Sequence, residues 1–137
     1  MTLRKIAIQL AAALMLMIAG CASMKISRGT LDDSVRDYQQ LIRWQEVPSA
    51  VAFVSEPMRP AYLEKATGFN RVKIVDYRIK SVDFSREQKR ATVVVEYDYH
   101  LKSGLTIKTV VDTQKWEYAD SVEPEGWRLT SYPPAFP

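Results

Sequence analysis

The chain has one cysteine and one histidine among its 137 residues, and this scarcity excludes several kinds of site. A single cysteine, Cys21, cannot form a disulfide within the chain. His100 has no cysteine or second histidine at ligand spacing, so the sequence predicts no metal centre built on such ligands. The chain also lacks a glycine-rich phosphate loop and a nucleophile-elbow serine, so we expect no nucleotide cofactor and no hydrolase triad.

Net charge is also low. The chain carries 19 basic and 16 acidic residues, and two of the basic ones, Arg4 and Lys5, lie in an N-terminal segment whose removal leaves 17 against 16. A nearly neutral body with scattered basic residues has no electrostatic footprint for nucleic acid. The composition, 47% hydrophobic and 26% charged, is typical of a globular protein, and the length suits one domain.

The longest apolar run is short. It extends from Ile6 to Ile18 and is interrupted only by Gln9, whereas a membrane span needs about 20 residues. Arg4 and Lys5 precede it, and small residues follow. A positive start, a short apolar stretch and small residues before a cut are the pattern of a signal peptide.

The segment Ile18-Ala19-Gly20-Cys21 resembles the bacterial lipobox, an aliphatic residue and two small ones before a cysteine. The resemblance implies a diacylglycerol on the Cys21 thiol, cleavage before Cys21 and acylation of the new amine. Two or more acyl chains anchor a protein stably to a membrane. In Gram-negative lipoproteins an aspartate after the cysteine resembles an inner-membrane retention signal, so Ala22 favours the outer membrane, facing the periplasm. A Gram-positive origin would place the same anchor on the outer face of the single membrane. The alternative is an uncleaved N-terminal anchor with an incidental cysteine.

This gives a three-part organisation. Residues 1–20 are a removed lipoprotein signal peptide, residues 21–29 a lipidated tether, and residues 30–137 a single α+β domain. The eight residues from Ala22 to Gly29 reach at most about 28 Å. The domain is therefore expected to stay close to its membrane.

The domain begins with helical patterns. Thr30 is the predicted N-cap of a first helix over 31–44. Its apolar stripe is predicted to be Leu31, Val35, Tyr38, Leu41 and Ile42. Its polar face is predicted to be Arg36, Asp37, Gln39, Gln40 and Arg43. Two short helices follow, one beginning at Pro48 and one over 61–67, which Gly68 ends as its C′ residue.

Four strands are predicted after residue 70. Residues 71–84 change phase twice, which indicates bulges. Residues 91–102 alternate cleanly, with Ala91, Val93, Val95, Tyr97, Tyr99 and Leu101 on one face. Residues 105–118 form the third strand, with a phase change near Val110 and Val111. Residues 127–132 form the fourth.

Helices followed by four antiparallel strands predict an α+β fold, with N-terminal helices on a curved, cone-like sheet. The ending Gln114-Lys115-Trp116-Glu117-Tyr118 and Gly126-Trp127-Arg128-Leu129 resembles the final hairpin of the nuclear transport factor 2-like superfamily. A cystatin-like fold is the competing resemblance. Relatives of ketosteroid isomerase and polyketide cyclase in the first superfamily imply an acid or histidine inside the cone.

Candidate pocket residues follow from strand phase. Tyr97 and Tyr99 share the apolar face of the second strand, and Asp112 and Trp116 share a phase on the third. Asp112 is the one acid predicted to reach the concave side; its alternative is exposure or satisfaction of a backbone group. The pair Asp98 and His100 falls on the opposite, solvated face. No catalytic, cofactor-binding or metal-binding residue is assigned, and Cys21 is the lipidation site.

Three functions remain open. The first is a non-catalytic envelope lipoprotein that acts as an accessory or assembly factor through a protein partner. The second is a carrier of a small apolar ligand in the cone, and the third an isomerase- or cyclase-type enzyme. Of these we expect the first. The apolar tail from Tyr132 to Pro137 is predicted either to dock through Phe136 on the domain or to contact a partner.

Overall fold

The computed structural model describes residues 2–3, 5–6 and 25–137. The lipobox-like run and Cys21 lie outside the described residues. None of the described helices is both long and apolar enough to span a bilayer.

A helical layer opens the domain. It contains three α-helices and three short 3-10 segments: α1 covers Arg28–Arg43, α2 covers Val47–Ala50 and α3 covers Arg59–Lys65. The 3-10 segments are Val51–Phe53, Glu56–Met58 and Ala66–Arg71. The two short helices are therefore confirmed, but Gly68 does not end a helix, because the 3-10 segment continues through it.

The start of α1 corrects one prediction. The N-cap is Ser27, not Thr30. The Ser27 hydroxyl accepts a hydrogen bond from the Thr30 amide, and the Thr30 hydroxyl reaches back to the Ser27 amide, which is a capping box. The Thr30 hydroxyl also contacts the backbone oxygen of Lys25. Arg28 and Gly29, which were assigned to the tether, thus belong to α1.

The sheet confirms the α+β fold. Four antiparallel strands lie in sequence order: β1 is Val72–Ser85, β2 is Arg90–Leu101, β3 is Lys108–Ala119 and β4 is Gly126–Leu129. The pairing of β1 with β2 shifts register between Ile74 and Asp76 and again between Ile79 and Ser81, as the phase changes predicted. These bulges curve the sheet around α1.

The third strand is more regular than predicted. It begins at Lys108 instead of residue 105, and its pairing with β2 has no register shift. The predicted phase change is absent because Val111 is an apolar side chain on the outer face, 60% exposed, while Asp112, Gln114 and Trp116 point inward. The last strand is also short and ends at Leu129.

The core fills the space between α1 and the concave face of the sheet. The predicted stripe of α1 is buried at Leu31, Val35, Tyr38 and Ile42, and the inward face of β2 is buried from Ala91 to Tyr99. The predicted position of Gln39 was wrong. It was assigned to the polar face, yet its side chain is completely buried.

The C-terminal tail docks on the domain. Phe136 is 8% exposed, and its ring lies 5.0 Å from the rings of both Phe69 and Tyr99 in edge-to-face contact. A Cβ atom at Gly68 would lie 3.1 Å from the Phe136 backbone oxygen, so a glycine permits this close approach. The tail therefore closes one end of the core.

Candidate functional site

A network of polar side chains lies in the middle of this core, and Gln114 is its centre. The Gln114 amide nitrogen donates to an Asp112 carboxylate oxygen at 2.9 Å and to the Tyr97 hydroxyl at 3.1 Å. Its carbonyl oxygen accepts from the Gln39 amide at 2.7 Å and from the Trp116 indole at 3.3 Å. All four hydrogen-bonding positions of this buried amide are therefore used.

Helix and sheet are joined through this network. Gln39 comes from α1, Tyr97 from β2, and Asp112, Gln114 and Trp116 from β3. The Tyr97 hydroxyl also donates to the Gln39 carbonyl oxygen. Because Gln39 bonds to both strands, it fixes the position of α1 over the sheet.

A pair of tyrosines extends the polar region. The hydroxyls of Tyr38 and Tyr62 lie 2.6 Å apart, and both residues are fully buried. Burial raises the pKa of each phenol well above its usual value, because the phenolate would lose its hydration. The same cause raises the pKa of Tyr97. The three tyrosines are therefore neutral hydrogen-bonding groups at any physiological pH.

Asp112 is the one acid in the network, and it is 8% exposed. Loss of hydration raises its pKa to about 6, and the hydrogen bond from Gln114 offsets part of that rise. Near neutral pH this carboxyl is thus ionised, but close to its titration point.

The raised pKa of Asp112 predicts that the stability of the folded protein depends on pH. A raised pKa in the folded state means that folding is favoured while the group is protonated, and this contribution is lost as pH rises from about 4 to about 6. Asp112→Asn removes the ionisation and keeps an oxygen that accepts from Gln114. We expect the variant to be more stable than wild type at pH 7, by up to about 3 kcal/mol, and equally stable near pH 4.

Urea unfolding at several pH values measures this difference. Asp83→Asn is the matched control, since Asp83 is exposed on β1. Its difference from wild type should stay near zero across the range. A flat difference curve for Asp112→Asn would contradict the burial of a titrating carboxyl at this position.

The structure brings together three of the four residues proposed to line a pocket. Tyr97, Asp112 and Trp116 meet at Gln114, whereas Tyr99 lies apart and packs against Phe136. Their exposure is 0 to 8%, so their side chains are packed inside the core. A surface cavity of about 860 Å3 lies elsewhere, beside the acidic loop 119–126.

The sequence analysis missed the residues that connect this group. Gln39 was placed on the polar face, Gln114 was noted as part of the motif that resembles the final hairpin, and Tyr38 and Tyr62 were not paired. One signal was available, because Gln39 lies four residues after Val35 and three before Ile42, on the buried side of the helix. The second signal was that Gln114 lies between Asp112 and Trp116 at a spacing of two residues, which places all three on the same face of β3.

The network is saturated within the described residues. No buried side-chain nitrogen or oxygen there lacks a hydrogen-bond partner. A general base must reach a substrate proton, and an oxyanion donor must be free to donate. Here the Asp112 carboxyl and the Tyr97 hydroxyl bond to neighbouring glutamines. In this arrangement the polar network holds α1 on the sheet.

Asp98 and His100, on the outer face of β2, are half-buried and make surface contacts. Arg78 approaches Asp98 to 2.6 Å and Thr109 donates to Asp98 at 2.7 Å, and together they lower the pKa of Asp98 to about 2. His100 is half-buried, and its Nδ1 lies 2.8 Å from the Leu101 backbone oxygen. The two side chains thus bond to different partners.

Comparisons with known proteins support the fold alone. No protein-family model and no curated protein matches the chain. A similar solved structure is that of TraE protein in complex with 2-(2-furyl)isonicotinic acid. It aligns with a TM-score of 0.53 over 78% of this chain and 95% of that chain, at 14% identity. The alignment supports the architecture of helices on a four-stranded antiparallel sheet.

Proposed function

We propose that this chain is a lipid-anchored, extracytoplasmic accessory factor of the bacterial cell envelope that acts without catalysis, through contacts with another protein. The lipobox-like run ending at Cys21 carries this proposal. The proposed location is the outer membrane, facing the periplasm, since Ala22 follows the lipidated cysteine.

The contacts of Lys25 with the domain support the proposal. Lys25 is tied to the domain through the Thr30 hydroxyl and an ion pair with Glu125 at 3.4 Å. Lys25 is only four residues after Cys21, a reach of about 14 Å at most. A body held this close to a bilayer suits a partner in the same membrane.

The packed interior favours contacts over chemistry. The residues that would line a ligand cavity are buried and bonded to one another, and ligand sites are commonly open cavities of about 300–1,000 Å3. TraE protein forms a complex with a small furyl-substituted acid. In this chain a ligand between Tyr97 and Tyr99 would have to displace the Phe136 ring, which packs against both, so ligand carriage is the second candidate.

The test of anchoring is Cys21→Ser. Wild-type cells fed a clickable palmitate analogue should yield labelled protein in the membrane fraction. The variant should lose both label and membrane association, because serine offers no thiol for the thioether. The control is Ala22→Ser, which leaves the Cys21 thiol in place and should therefore keep the label.

Two results would oppose this part of the proposal. One is wild-type protein without label, and the other is a Cys21→Ser variant that remains labelled in the membrane. Native mass spectrometry of the wild-type protein in mild detergent tests the carrier alternative. A stoichiometric small molecule released on unfolding would support carriage in place of protein contact.

A further inference from the structure

An apolar, basic hairpin protrudes from one end of the sheet. It connects β2 to β3 and contains Leu105 and Ile107, which are 87% and 54% exposed. Val111 continues the apolar surface on the outer side of β3 at 60% exposure. We call residues 102–108 together with Val111 the distal hairpin surface. Side chains this apolar are seldom left in water over a contiguous patch without a binding partner.

Positive charge surrounds these side chains. Arg71, Lys73, Lys102 and Lys108 are all exposed at this end of the sheet, and none of them has an acidic partner among the described residues. Among the acids on the outer face near this end, Asp98 is paired with Arg78, and the exposed Asp76 opposite it on β1 accepts a hydrogen bond from the Tyr77 amide. The charges of the distal end are therefore open to a partner of opposite sign.

A shallow cavity lies at the root of the hairpin. It has a volume of about 500 Å3 and is lined by Asn70, Arg71, Leu101, Lys102, Ser103 and Pro137. The lining combines two cations with apolar side chains. An extended segment with an acidic residue beside an apolar one would match both features.

This surface lies at the end of the sheet opposite to the anchored N-terminal segment, which favours a protein over the anchoring membrane as its occupant. The N-terminal segment meets the domain at the other end of the sheet, where Lys25 contacts Glu125 and Thr30 contacts Trp127. The 12 residues of β3 separate that end from the hairpin, a length of about 36 Å along the strand. The chain before Lys25 reaches only about 14 Å from Cys21.

We propose that the distal hairpin surface docks an extended, acidic and apolar segment of another envelope protein. The proposal rests on the proposed function, since it is lipid on Cys21 that makes this end of the domain distal to the bilayer. Leu105 and Ile107 supply the apolar contact, and Lys102 and Lys108 supply charge complementarity. The same arrangement presents the surface to the periplasmic space.

The experiment uses the full-length chain in intact cells. In one variant a photo-crosslinking amino acid replaces Leu105. In a second variant the same amino acid replaces Val122, which is 46% exposed in the loop 119–126, at the end of the sheet where Lys25 contacts the domain. We expect a discrete protein adduct from position 105, with the crosslink mapped by mass spectrometry to an acidic and apolar segment. Adding Lys102→Glu and Lys108→Glu should lower the adduct yield about fivefold or more, through like-charge repulsion. The substitutions are exposed and should leave the protein level in the membrane unchanged.

The outcomes separate this inference from the proposed function. An adduct from position 122 alone overturns the distal docking site and leaves the accessory role in place. Lipid adducts, or an adduct of two copies of this chain, from position 105 also overturn it. The absence of any protein adduct from both positions contradicts the proposed function as well. An adduct that persists in full after charge reversal contradicts the proposed acidic chemistry of the partner.

Discussion

Gln114→Leu should be among the most destabilising substitutions in the chain, with an expected loss of about 3–6 kcal/mol. The leucine would bury an apolar group where the wild-type amide satisfies four partners. The amide of Gln39, the indole of Trp116 and the carboxylate of Asp112 would each lose a hydrogen bond. A buried polar group left without its partner costs about 1–3 kcal/mol.

Urea unfolding followed by tryptophan fluorescence measures this loss, since Trp116 and Trp127 are both buried. The matched control is Gln40→Leu, the same substitution at an exposed position of α1. The control should change stability by less than about 0.5 kcal/mol. Gln39→Leu should resemble Gln114→Leu and not the control. Equal stability of Gln39→Leu and Gln40→Leu would contradict the network.

Removal of the tail should have the second large effect. Truncation after Ser131 deletes Phe136 together with Pro133 and Pro134, which are all buried, and uncovers the rings of Phe69 and Tyr99. Loss of a buried phenylalanine costs about 3–5 kcal/mol. For a domain of this size the Tm should fall by about 10 °C or more.

Phe136→Ala isolates the ring from the rest of the tail and should account for most of that loss. Tyr132→Ala serves as the control, because Tyr132 is 48% exposed and its ring contacts only the Lys65 ammonium among the cations described. The control should lower the Tm by no more than a few degrees. An unchanged Tm after truncation would favour the alternative, in which the tail contacts a partner protein and does not stabilise the domain.

The strands show what the sequence predicts well. The alternation of 91–101 placed each buried side chain of β2 correctly, because one face of that strand meets the core along its length. The phase changes in 71–84 predicted both bulges of β1 for the same reason. Where side-chain periodicity and burial agree, a single sequence is sufficient.

The candidate site shows where such prediction fails. Gln39 and Gln114 are 75 residues apart, and each is tolerated in the core only because the other is there. Polarity alone assigns Gln39 to solvent, and no local pattern shows its partner. Thr30 was misplaced for a related reason: Ser27 and Thr30 are both capping residue types, and their reciprocal hydrogen bonds decide which one caps.

The measurement that most directly tests the central claim is the mass of the N-terminal peptide of the protein extracted from cell membranes. We predict a peptide that begins at Cys21 and carries a diacylglycerol thioether, with an acyl group on the new amine. This modification would hold the domain, from Lys25 onward, within about 14 Å of the bilayer. A peptide that begins before residue 21, or an unmodified Cys21, would contradict the account.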